Sequence, residues 1–186
     1  MPFLSDVMSS PGTILLPVFA EGVVLATLLG KSMLLRGAPP SRLGNVAAKL
    51  QDLRVCLHNR LQIMGTHLPR ASASVDPPLG FAHILAYSLI INLNEITDSM
   101  PLMKEHRSPA ESLDAYREIL ALAKSSCRGG RFKTNIFLPV LLARAINFKA
   151  SRQQNDDLNE LMDILQRLSY VNRQAEELVQ ELVKHQ

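Results

Sequence analysis

Five histidines and two cysteines are the residues of this sequence best suited to hold a metal or to run covalent chemistry. His58, His67, His83, His106 and His185 never pair at a spacing of four with a glutamate, which would set two ligands on one helix face. Cys56 and His58 stand two apart, so a helix would point them to different sides. Neither Cys56 nor Cys127 opens a Cys-x-x-Cys, and both read as idle thiols of a reducing compartment. No Gly-x-Ser-x-Gly elbow brings a nucleophile to a base. The adjacent carboxylates Asp156-Asp157 and Glu176-Glu177 lie on polar helix faces, where solvation accounts for them. Gly30-Lys31-Ser32 matches the last residues of a phosphate-binding loop, but Leu25 stands where that loop needs its first glycine, and no strand precedes it. This inventory predicts no metal, no cofactor and no enzyme.

Other residues suggest binding. Arg128, Arg131 and Lys133 form a dense basic patch with two glycines between them, able to meet phosphate or an acidic partner. One short loop supplies little affinity, so it reads as a solvated loop. Glu21, His83, Tyr87 and Asn92 are polar groups inside very apolar segments. Each is either satisfied by a neighbour or one of the few polar contacts of a ligand cavity inside a helical bundle. The last helix carries Leu158, Leu161, Leu165, Leu168, Asn172, Ala175, Val179 and Leu182 at steps of three and four. A seam of that kind with a polar Asn172 can register a coiled-coil homodimer. Met162, Ile164 and Val171 widen it, which favours packing within the same chain.

The elements that position these residues are all helical. Period-two alternation is scarce and no Asn-Gly or Asp-Gly turn occurs. The spacing predicts helices over about Ile14–Arg36, Arg42–Gly65 and Leu79–Asn94, a fourth from Pro109, a fifth over Asn135–Asn147, and a sixth from Asn155 to the end. Gly37-Ala38-Pro39-Pro40 and the segment Leu68 to Pro78 separate the first three, and Ser9-Ser10-Pro11-Gly12 reads as a turn. No repeat or low-complexity tract divides the chain. The expectation is all-α: one bundle of about six helices as a single domain over residues 1–186, with 1–12 flexible.

At 186 residues and 47% hydrophobic, the chain has ample apolar surface for a core, which excludes wholesale disorder. Aromatics are 5% with no tryptophan, too few for a base-stacking platform. A net charge of +3, with both signs spread along the chain, leaves no electrostatic footprint for nucleic acid. No cationic leader precedes the first apolar run, so a signal peptide is not expected. Thr13 to Gly30 has the length of a membrane span but is interrupted by Pro17, Glu21 and Gly22, while Phe81–Leu93 and Ile136–Ile146 are too short. A soluble protein with buried helices is the preferred reading.

Five segments in order carry a resemblance. They are LRVCLHNRLQIMGTHLP (Leu53 to Pro69), FAHILAYSLIINLN (Phe81 to Asn94), SLDAYREILALA (Ser112 to Ala123), FLPVLLARAI (Phe137 to Ile146) and LNELMDILQRLSYVNRQAEELVQEL (Leu158 to Leu182). From about Leu43 onward the chain resembles the regulatory, middle-homology domain of fungal binuclear-zinc-cluster transcription factors. It departs from that family in having Met64 where an aromatic is usual, and in lacking the arginine-proline that ends the next apolar helix. With two cysteines it cannot form the six-cysteine DNA-binding cluster. The resemblance implies a helical module in the nucleus that controls transcription through protein partners or a small apolar ligand, without touching DNA itself, as a regulatory fragment or a stand-alone relative. The alternatives are a helical ligand-binding or scaffold protein unrelated to transcription, and a membrane-anchored protein using Thr13 to Gly30.

Overall fold

Pro77 and Pro78 open a long helix most of whose residues are buried, because a fixed φ and a missing donor suit a first turn. The computed structural model describes residues 16–36, 43–67, 76–100, 108–128, 138–150, 158–170 and 173–184. Among them are seven helices and no strand: α1 Val18–Leu35, α2 Leu43–His67, α3 Pro77–Asp98, α4 Pro109–Arg128, α5 Leu138–Ala150, α6 Leu158–Ser169 and α7 Arg173–Lys184. The chain is all-α. Residues 1–12, expected to be flexible, lie outside the described residues.

The expected single last helix is two. α6 ends at Ser169, a turn follows at Tyr170, and α7 begins at Arg173. Ser169, Tyr170, Val171 and Asn172 are four consecutive residues of only middling helix propensity. Ser169 Oγ also donates to the Gln166 carbonyl at 2.6 Å, competing for the backbone there. Asn172 lies outside the described residues.

Helix α3 is apolar on all sides, and sixteen of its 22 residues are buried. A helix of that kind must be surrounded. α1 and α4 pack along it most extensively, with α2 and α5 also against it. α6 lies on α5 and α4, and α7 on α6 and α5. Buried apolar side chains from all seven helices form one contiguous cluster. The leucine stripe enters it directly: Leu158, Leu161, Leu165 and Leu168 are buried, and Val179 and Leu182 of α7 are half-buried against the same core. Lys149 of α5, also buried, sits with Nζ 4.9 Å from the centroid of the Tyr116 ring of α4.

The inward stripe of α2 runs Val46, Leu50, Leu53, Leu57, Arg60, Met64. Arg60 thus holds a core position, and it meets the other buried charge of this interface, Glu21 of α1. Arg60 Nε donates to Glu21 Oε2 at 3.0 Å and Arg60 Nη2 pairs with Oε1, a two-pronged arrangement. Burial pushes the Arg60 guanidinium below its ordinary pKa, the signature of a cation removed from water. Removing one member of such a pair leaves a bare charge in the core. Arg60→Met is expected to cost about 3 to 5 kcal/mol in chemical denaturation, whereas the double variant Glu21→Leu with Arg60→Met should recover most of that loss. Equal losses in both variants would show that the cost lies in side-chain shape rather than charge.

Candidate functional site

The polar groups of α3 cluster in its C-terminal half and reach out to both sides. On one side, Asn92 Nδ2 donates to Ser32 Oγ of α1, and Arg144 Nη2 of α5 donates to Asn92 Oδ1. Ser32 Oγ in turn donates to the Leu29 carbonyl at 2.7 Å. Glu95 pairs with Arg36, just past α1, and lies 3.6 Å from Arg144. Burial lowers the Arg144 pKa; Glu95 opposes that effect and Arg36 adds to it. On the other side, Arg54 of α2 donates to Asn94 Oδ1 at 2.6 Å and to Thr97 Oγ1 at 2.9 Å. Asn94 Nδ2 donates to Ser112 Oγ of α4 at 2.8 Å and to Glu111 at 3.2 Å. His58 has Nδ1 2.8 Å from the Arg54 carbonyl and Nε2 3.1 Å from Glu111. These links stitch α1, α2, α4 and α5 to the central helix.

Of the four polar residues singled out in the sequence, Glu21 is buried in its pair with Arg60 and Asn92 is buried within these links, apart from one another. His83 and Tyr87 stand one turn apart on α3, His83 buried and Tyr87 half-buried, with ring centroids 6.3 Å apart and planes 22° from parallel. The side chains of Arg128, Arg131 and Lys133, like Cys127, His106, His185 and Asp156-Asp157, lie outside the described residues. Among the described residues no three metal-ligating side chains come together. Cys56 carries a free thiol, half-buried on α2.

An apolar groove of about 500 Å3 runs along the outer face of α1. Its floor holds Gly22, Ala26 and Gly30; Phe19, Val23 and Met33 of α1, Phe81 of α3 and Val140 of α5 form its sides. A Cβ added at Gly22 or Gly30 would meet nothing within 4 Å, so these glycines leave room that none of the described residues uses. None of Glu21, His83, Tyr87 and Asn92 lines it, and among the described residues neither does any charged side chain. The groove can bury apolar surface but offers no group to move a proton or polarise a bond. Its volume falls within the range of about 300 to 1,000 Å3 typical of small-molecule sites. α1 and α3 are both long and apolar enough to cross a membrane; α3 is mostly buried here, while much of α1 faces outward.

The sequence analysis identified Glu21 and Asn92 but not their partners Arg60 and Arg144. Arg60 left a signal, since it falls in step with Val46, Leu50, Leu53, Leu57 and Met64. The groove left one too, in the four-residue spacing of Gly22, Ala26 and Gly30.

No protein-family profile matches the chain, and no solved structure matches it. Curated relatives do. Over 95% of its length the chain is 29% identical to the tropolone cluster transcription factor tropK of Talaromyces stipitatus, covering 35% of that protein. Over 83% of its length it is 30% identical to the citrinin biosynthesis transcriptional activator ctnR of Monascus purpureus, covering 30% of it. The pigment biosynthesis transcriptional activator pigB of Monascus ruber is 25% identical over 93% of the chain, which covers 34% of that protein. The chain is thus similar along most of its length to fungal transcription factors and spans about a third of the length of these relatives.

Two measurements check the interior. Asn92→Leu leaves Arg144 and Ser32 without their shared partner and is expected to cost about 1 to 3 kcal/mol in urea unfolding, against a near-neutral change at an exposed position such as Asn159. Burial raises the Cys56 thiol pKa, with nearby Lys31 partly opposing it. The native chain therefore keeps that proton after the unfolded chain has lost it, and the contribution of Cys56 to stability falls as pH rises through the ordinary thiol range. At neutral pH, mass-mapped alkylation of Cys56 should be slower in the folded than in the unfolded protein.

Proposed function

We propose that this chain is the regulatory part of a fungal transcription regulator of a biosynthetic gene cluster, acting in the nucleus through partner or ligand contacts rather than by binding DNA itself. The observation that carries this reading is similarity over most of the chain to transcription factors named for such clusters. The physical character of the described surface supports the manner of action. A weak net charge and few aromatics give little grip on a nucleic acid, whereas the α1 groove is an unfilled apolar surface of the kind that receives a partner. Control by a small apolar molecule is the second reading, supported by the volume of the same groove.

Fusion of the chain to an unrelated DNA-binding domain is the test. The fusion should raise transcript from a reporter carrying that domain's site, and the unfused chain should not retard DNA in a gel. Ala26→Lys, which sets a charge in the groove, should reduce the reporter effect without lowering the amount of folded fusion. A silent fusion that recruits no nuclear protein would overturn the proposal, as would DNA binding by the chain alone.

A further inference from the structure

Helix α1 is a palindrome of side-chain size centred on Ala26. Val23 and Leu29 stand three residues either side, Gly22 and Gly30 four, Phe19 and Met33 seven, and Val18 and Leu34 eight. At the pitch of an α-helix all of these offsets lie within roughly 80° of Ala26, on one face. That face is open. Phe19 is 80% exposed, Leu34 82% and Met33 55%. Of the large exposed apolar side chains among the described residues, all but Val55 and Tyr170 lie on this face or, as Val140, beside it.

We propose that this face is a homodimer interface, in which two copies of the chain pack α1 against α1, antiparallel, about a two-fold axis through Ala26. An antiparallel two-fold brings each residue against the one equally far on the other side of the axis. A face palindromic in size therefore sets small residues against small near the axis and large against large toward its ends. Ala26 then meets the partner's Ala26, and Gly22 meets the partner's Gly30. Small against small at these places lets the two backbones approach closely. Phe19 comes opposite the partner's Met33 near the midline, and Val23 and Leu29 flank the seam on its two sides, closing both grooves at once. The exposed apolar surface on and beside this face is on the order of 600 Å2, close to the roughly 800 Å2 per partner of a standard interface. The contact buries no charge: Glu21 is turned inward to Arg60, and Lys31 lies roughly 140° round the helix from Ala26. The inference rests on the reading of the groove as an interaction surface, and not on the role in transcription.

Sedimentation equilibrium of the purified chain tests it. The wild type should run at the mass of two chains, and Ala26→Lys at one. Gly22→Ala with Gly30→Ala is the control for folding. The added methyls meet nothing within the chain and alanine is the better helix former, so Tm should hold or rise while dimer dissociation strengthens at least about tenfold. Register is read by oxidative cross-linking with mass mapping. Ala26→Cys should link to itself, and Phe19→Cys to Met33→Cys in a mixed sample but not to itself. A wild type that stays monomeric, a dimer indifferent to both groove variants, or self-linkage of Phe19→Cys would each overturn the proposal. So would a monomer that inserts into phosphatidylcholine vesicles, or one whose Tm rises with palmitate, since the groove would then serve lipid or a small molecule. A dimer alongside a silent reporter would leave this inference standing and remove the regulatory reading; a monomer alongside an active reporter would do the reverse.

Discussion

A helix with no face fit for water has to be covered on every side, and α3 imposes that condition on the whole molecule. Its N-terminal half is mostly apolar, with the stacked His83 and Tyr87 rings among its few polar groups, and it packs chiefly by burying hydrocarbon. Its C-terminal half is different. Asn92, Asn94, Glu95 and Thr97 stand within two turns, and their hydrogen-bonding groups draw Ser32 and Arg36, Arg54, Ser112 and Arg144 from four different segments. A buried amide satisfied from two sides tolerates only one placement of each neighbour. The apolar half supplies driving force, and the polar half sets the register at which the surrounding helices stop.

α1 is the element treated least like a surface helix. Its inner face carries the one carboxylate that a bundle would normally expel, held by Arg60, while its outer face carries Phe19, Met33 and Leu34 toward solvent. A helix with a charge inside and hydrocarbon outside reverses the ordinary amphipathic pattern. The pairing of Glu21 explains the first half of that reversal. The second half leaves an apolar surface that favours association.

Much of this was legible in the residues. Steps of three and four gave the helices and the stripe of α2, and the proline at 109 marked the start of α4, whereas Pro77 and Pro78 read as the end of a loop and in fact open α3. Glu21 and Asn92 stood out as polar groups in apolar surroundings. Their partners did not, because Arg60 is 39 residues from Glu21 and Arg144 is 52 from Asn92, and helical periodicity relates only neighbours within a few turns. The break between α6 and α7 was hidden for the opposite reason. Leu168, Asn172 and Ala175 keep the spacing of an unbroken stripe, so the pattern runs straight through a place where the backbone turns. The groove was only half legible: the spacing of Gly22, Ala26 and Gly30 marks it, but apart from Glu21 the segment Thr13 to Gly30 is apolar on most sides, and the position of α3 and α5 decides which side is left uncovered.

The distance between Glu21 and Arg60 along the chain also has a consequence for how the protein is made. α1 is synthesised before α2, carrying a carboxylate that has no local partner and an apolar run on either side of it. Its cation follows 39 residues later, about 2 to 8 seconds at ordinary elongation rates, and the helix that covers it comes later still. Through that interval the carboxylate of α1 waits without its cation and its inner apolar face without α3, which makes α1 a stretch of nascent chain suited to chaperone binding.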